Sequence, residues 1–163
     1  MTERRWPEGK AHDELQLQWD FLDFLRHTAV MKVEGLTRDL AAAAPVPTSP
    51  KMTALGVLKH LIAVERYWLC IAGGGSDLPS LWQGSPDPSW NLSEEDTPQS
   101  LIARYREEWA NATDALSGKK PDDLSANGDF TIRWIMQHVT QETARHVGHL
   151  DFLRELADGS VGE

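Results

Sequence analysis

Residues 132–156 read IRWIMQHVTQETARHVGHLDFLREL, and this run decides the fold. It contains no proline and one glycine, Gly148, and its apolar residues recur at helical spacing. Take His138 as the origin and step about 100° per residue. Ile135 and Leu153 then fall at about 60°, Val139 at about 100°, and Ile132 and Leu150 at about 120°. On the same scale Glu142 falls at about 40°, His146 at about 80° and His149 at about 20°. Glu142 and His146 are thus expected to straddle the middle of the inward face, with His138 and His149 nearer its edge.

A carboxylate and an imidazole on a buried face cost free energy unless something pairs with them. At i, i+4 spacing both heads leave the helix in one direction, which a metal ion can bridge. A hydrogen-bonded pair or an exposed polar edge satisfies the same spacing. Two ligands do not close a site, so this helix alone leaves both readings open.

The rest of the chain reads as three more helices. Leu15, Trp19, Leu22, Leu25, Ala29 and Leu36 predict a helix from about Asp13, a candidate N-cap, to about Ala43, interrupted only by Gly35. Pro45, Pro47 and Pro50 make a connector. A second helix is expected from Thr53, another cap, to about Ala72, where Gly73, Gly74 and Gly75 end it. On it His60 borders the inward face beside Val57 and Val64, while Lys59 and Arg66 fall on the far side. A third helix is expected from the Thr97-Pro98 cap pair to Leu116, with Arg104, Arg106, Glu107 and Glu108 on a solvated face. Between the second and third helices lies a long connection with Pro79, Pro86 and Pro88. It also carries Leu78, Leu81, Trp82 and Trp90, which a purely solvated linker does not need. The last helix is capped by Thr131 and ended by Gly159. No stretch alternates as a half-buried strand does. The expected fold is all-α: a four-helix bundle with a long crossover between the second and third helices. It is read as one domain over residues 1–163, with 1–11 a flexible lead-in.

Composition narrows the function. A net charge of −9 with no basic run argues against nucleic acid, and no apolar run is long enough to span a membrane. The opening MTERRWPEGKAHDE has no apolar core of a signal peptide. One cysteine, Cys70, excludes an internal disulfide and fits a reducing cytoplasm; its apolar context points to packing. If the second and fourth helices are neighbours, His60, Glu142 and His146 can converge as three protein ligands with an open fourth position.

These residues carry a resemblance. LGVLKHLIAVERYWL (55–69), ETARHVGHLDFLREL (142–156) and FLDFLRHTAVMKVEGLTRDL (21–40) resemble the DinB-like superfamily. More narrowly they resemble its actinobacterial branch with mycothiol-dependent S-transferases and maleylpyruvate isomerase. That resemblance implies a four-helix bundle holding a divalent metal on His60, Glu142 and His146. Glu142 stands where many relatives have His. His149 is then a residue behind the ligands or at the mouth, and His138 is structural.

The implied function is a metal-dependent enzyme that activates a low-molecular-weight thiol, mycothiol above all, for S-transfer or thiol-assisted isomerisation of a small electrophile. Zinc is the first expectation for the metal, and nickel, iron or manganese also suit the ligands. The alternatives are a metal-dependent hydrolase, a non-catalytic metal-binding, stress-linked bundle, and a metal-free polar cluster. Partners are expected to be small molecules, with the chain a monomer or a homodimer through exposed Trp. Neither a general acid or base nor the thiol-binding residues can be named from the sequence; Trp82, Trp90 and Arg145 are candidates for thiol binding by position and type alone.

Overall fold

The computed structural model describes residues 4–82, 84 and 87–162. Residues 1–3 of the expected lead-in and Pro86 of the expected crossover lie outside them. The helices are α1 (Glu14–Val33), the short α2 (Arg38–Ala42), α3 (Ala54–Glu65), α4 (Pro98–Ala115) and α5 (Ile132–Asp158). The four longer ones pack as a helical bundle. Among the described residues there is no strand, only an isolated bridge between Leu124 and Thr131. No helix of these residues is long and apolar enough to cross a membrane.

Local chemistry sets the starts. Asp13, Thr53, Thr97 and Thr131 each accept a backbone N–H three residues on, from Gln16, Gly56, Ser100 and Trp134. Gly159 closes α5 in the left-handed region, its N–H bonded to Glu155 O.

Two helices differ from expectation. The first stops at Val33 rather than Ala43, because Gly35 takes φ 82°, which an α-helix cannot contain. Thr37 then caps the separate α2. The second helix does not stay α to Ala72: from Arg66 to Gly73 it widens into a π-helix. Leu69 and Cys70 on this segment are fully buried. This segment ends against α4 so closely that a Cβ on Gly74 would stand 2.5 Å from Ala115 O.

The apolar core has two parts. One gathers Ala29, Leu58, Leu61, Tyr105 and Leu150, and the other gathers Leu22, Val64, Ala112, Ile135 and Val139. Near where they meet, each long helix buries a polar side chain: Arg26 on α1, Glu65 on α3, Glu108 on α4 and Thr143 on α5. Arg26 donates to both oxygens of Glu65, at 3.0 and 2.6 Å. Arg66 does the same to Glu108, at 2.6 and 2.7 Å, and the Cys70 thiol also faces Glu108. Glu108 is therefore not on a solvated face, and Arg66 does not simply point away. Their charges are tolerated inside because each is paired through two hydrogen bonds.

The crossover lies along the bundle. Arg66 donates to Pro79 O, Lys59 to Asn91 O and Asp96, Lys51 to Asn91 Oδ1, and Arg38 to Ser93 O. Within it Pro88–Trp90 forms one 3-10 turn, capped by Asp87. At the chain start, Trp6 stacks on Phe24 of α1 with ring centroids 4.3 Å apart.

Candidate metal centre

α3 and α5 bring the three expected residues together. One ligand atom from each of His60, Glu142 and His146 lies within 4.8 Å of the others. His146 Nε2 is 3.1 Å from Glu142 Oε1, and His60 Nε2 is 3.5 Å from the same oxygen. The two imidazoles meet edge to face at 4.9 Å. His60 and His146 are buried, and Glu142 is partly open to solvent.

Glu142 does not sit in the middle of the inward face. Met136, Thr143 and Val147 are buried as well, and they extend the packed arc to about 180° on the scale used above. Glu142 is thereby left at its margin, partly open to solvent and facing His60 of α3. Met136 and Val147 are apolar and signal this shift in the sequence; Thr143 is polar and does not. It is buried through a hydrogen bond from its hydroxyl to Val139 O.

The electrostatics suit ligation. Burial raises the Glu142 carboxyl, but the pull of His146 and hydrogen bonds from both imidazoles outweigh it and hold the group below the usual carboxylate range. Burial, and then repulsion from His60, push His146 down to about 4 against the pull of Glu142. At neutral pH the pair is an anionic carboxylate and a neutral imidazole, the states in which these groups bind metal.

Each imidazole also has a partner behind it. His60 Nδ1 lies 3.1 Å from Ser89 Oγ and 3.3 Å from Asp87 Oδ2. His146 Nδ1 lies 3.3 Å from Nδ1 of His149. Trp90 stacks on His60 at 4.4 Å, and Trp82 stands edge-on to it at 6.3 Å. His138 is elsewhere, stacked at 5.1 Å on Trp134 and edge-on to Trp68. Arg145 is exposed on α5.

Asp87 and Ser89 were not among the residues expected from sequence. Asp87-Pro88 is a legible cap-and-first-turn pair, but nothing in it says which bundle side chain it will meet.

The donor set fits a divalent first-row ion. Two imidazole nitrogens and a carboxylate oxygen converge from two rigid helices, with aromatic rings on one side and Glu142 partly open to solvent. The residues could hold such an ion with a position left for a further ligand.

Comparison with known proteins adds the family. The Mycothiol-S-transferase family model matches residues 18–159, which takes in most of α1 and all of the other helices. No curated protein matches the chain.

Proposed function

Because the chain belongs to the Mycothiol-S-transferase family, we propose that it joins the sulfur of mycothiol to a small electrophile at a divalent metal held by His60, Glu142 and His146. The observation that carries this reading is the convergence of those three side chains from α3 and α5 on one point. Zinc suits the set best, and nickel, iron and manganese share its ligand preferences. When bound, the ion supplies Lewis acidity that keeps a thiol ionised near neutral pH.

The protein's own residues have distinct parts. His60 and His146 offer their Nε2 atoms, held in place by packing on Trp90 and by α5 itself. Glu142 would lower the net charge of the centre, so that a thiolate held there would keep more of its nucleophilicity. Its carboxylate is partly open to solvent, the side from which a thiol and an electrophile could approach. Cys70 takes no part: burial, and then the Glu108 charge, push its thiol up to about 12, and it stays protonated. The reading places the protein in the cytoplasm, where low-molecular-weight thiols stay reduced.

The test is metal content and turnover together. Protein purified without chelator should carry about one equivalent of metal per chain, and His60→Ala should lose it. Conjugation of a chromogenic electrophile should require mycothiol and disappear in the same variant. A protein that takes up no zinc or nickel, or turnover without any thiol, would sink the proposal.

A further inference from the structure

The crossover meets His60 on the side away from Glu142. Ser89 is buried there, its hydroxyl 2.7 Å from Asp87 Oδ2 and 3.1 Å from His60 Nδ1. Asp87 Oδ2 is 3.3 Å from the same ring nitrogen, and Asp87 Oδ1 accepts the Ser89 backbone N–H at 2.8 Å.

Counting protons fixes the roles. A hydroxyl has one proton to give, and an ionised carboxylate can only accept. The Ser89 proton therefore goes to Asp87, and the Ser89 lone pairs face His60. Both groups around Nδ1 are acceptors, so Nδ1 carries a proton. Nε2 then faces Glu142 Oε1, 3.5 Å away. A neutral ring would leave two acceptors opposed there, so the gap takes either a second ring proton or a cation, and an ion on Nε2 stands in the place of that proton.

We propose that Asp87 and Ser89 are positioning residues of the metal centre, holding His60 as the Nδ1–H tautomer so that Nε2 is the nitrogen offered to the ion. The inference rests on the metal reading above. It makes the crossover part of the centre: the Trp90 stack sets the plane of the His60 ring, and the Asp87–Ser89 pair sets its proton. Outer partners of this kind are typically worth about 10–100-fold in metal affinity. The coupling is reciprocal. An ion on Nε2 makes Nδ1–H a stronger donor, so metal binding holds the turn at Asp87–Trp90 more tightly.

The test uses the full chain and zinc alone, with no turnover assay. Zinc affinity is measured by competition with a chromophoric chelator for the unaltered protein, Asp87→Ala, Asp87→Asn and Ser89→Ala, with helical circular dichroism as the folding control. Asp87→Ala should bind zinc about 10–100-fold more weakly. Asp87→Asn, which keeps one of the two acceptor oxygens, should recover part of that loss, and Ser89→Ala should lose less than Asp87→Ala. In the zinc-loaded unaltered protein the ¹⁵N–¹H signal of His60 Nδ1 should be present and slow to exchange with water. It should stay so in Asp87→Asn and be lost to exchange in Asp87→Ala, a change that a packing defect alone does not produce. If Asp87→Ala does not fold, Ser89→Ala and the His60 signal decide. Unaltered zinc affinity in the folded variants, or a His60 proton on Nε2, overturns the inference and leaves the metal centre standing. An unaltered protein that binds no zinc overturns both.

Discussion

Trp90 lies flat on His60, ring centroids 4.4 Å apart and planes 19° from parallel. One residue comes from the crossover and the other from α3, so the stack joins the least regular part of the chain to the candidate centre. Trp90 is also within 5.6 Å of the His146 ring. A single side chain thus packs against both imidazoles.

Trp90→Ala should therefore free the His60 ring and weaken zinc binding while the bundle stays folded. Trp90 is only partly buried, so the loss of stability should be about 1–3 kcal/mol, below that of a fully buried aromatic. Urea unfolding and chelator competition on the same sample measure the two effects.

Glu142→Ala should separate metal binding from folding. The carboxylate is at the margin of the packed face, so its removal leaves no core cavity. Zinc affinity should fall at least about tenfold, as expected on deleting one of three ligands, with helical content unchanged. Glu142→His should keep the metal, because an imidazole can replace the carboxylate as ligand. Metal retained by Glu142→Ala at full affinity would falsify the assignment of this ligand.

Acid should weaken the metal-free protein through His146. Its imidazole is neutral in the folded state down to about 4, whereas the unfolded chain takes up a proton from its ordinary value of 6.5. Between those values the unfolded chain binds more protons, so stability falls as pH drops through this window. Glu142, held below its ordinary value, adds a further loss at lower pH. Urea midpoints in the presence of chelator should decline from pH 7 to pH 4, and His146→Asn should flatten the slope.

The Arg26–Glu65 pair should behave as a buried ion pair. Glu65 has no exposure and Arg26 almost none, so Glu65→Ala leaves the buried guanidinium with Asp23 alone, at 2.7 Å, and should cost up to roughly 3–5 kcal/mol. Arg26→Met with Glu65→Leu removes both charges and should recover most of that loss. A double-mutant cycle in urea reads the difference; equal losses in the single and double variants would contradict the pairing.

Two glycines should respond oppositely to alanine. At Gly74 the new Cβ meets Ala115 O at 2.5 Å and Ala115 Cβ at 2.6 Å, both on backbone or rigid atoms. Gly74→Ala should cost about 1–3 kcal/mol through overpacking. At Gly148, inside α5, a Cβ meets nothing within 4 Å. Gly148→Ala should gain up to about 1 kcal/mol from helix propensity. Thermal unfolding of both variants gives the comparison.

Periodicity and capping made the architecture legible. Asp13, Thr53, Thr97 and Thr131 start helices as their side chains require, and Gly159 ends one, because each effect acts within a few residues of the chain. The same locality made His60, Glu142 and His146 recognisable as one group once α3 and α5 were taken as neighbours. It did not place Glu142 at the margin of its helix face, since the burial of the polar Thr143 depends on what α5 packs against. Nor did it give the widening of the helix from Arg66 onward.

The amino-acid sequence by itself thus determined where the helices start, which stripes are apolar and which side chains could bind a metal, since all three are properties of a single helix. Only the tertiary structure decided which charges lie inside and what stands behind His60. Glu108 reads as solvated until Arg66 closes on it, and Asp87 and Ser89 read as loop residues until the crossover lays them on Nδ1 of His60. These pairings join residues 42, 29 and 27 positions apart, a separation that no helical period encodes.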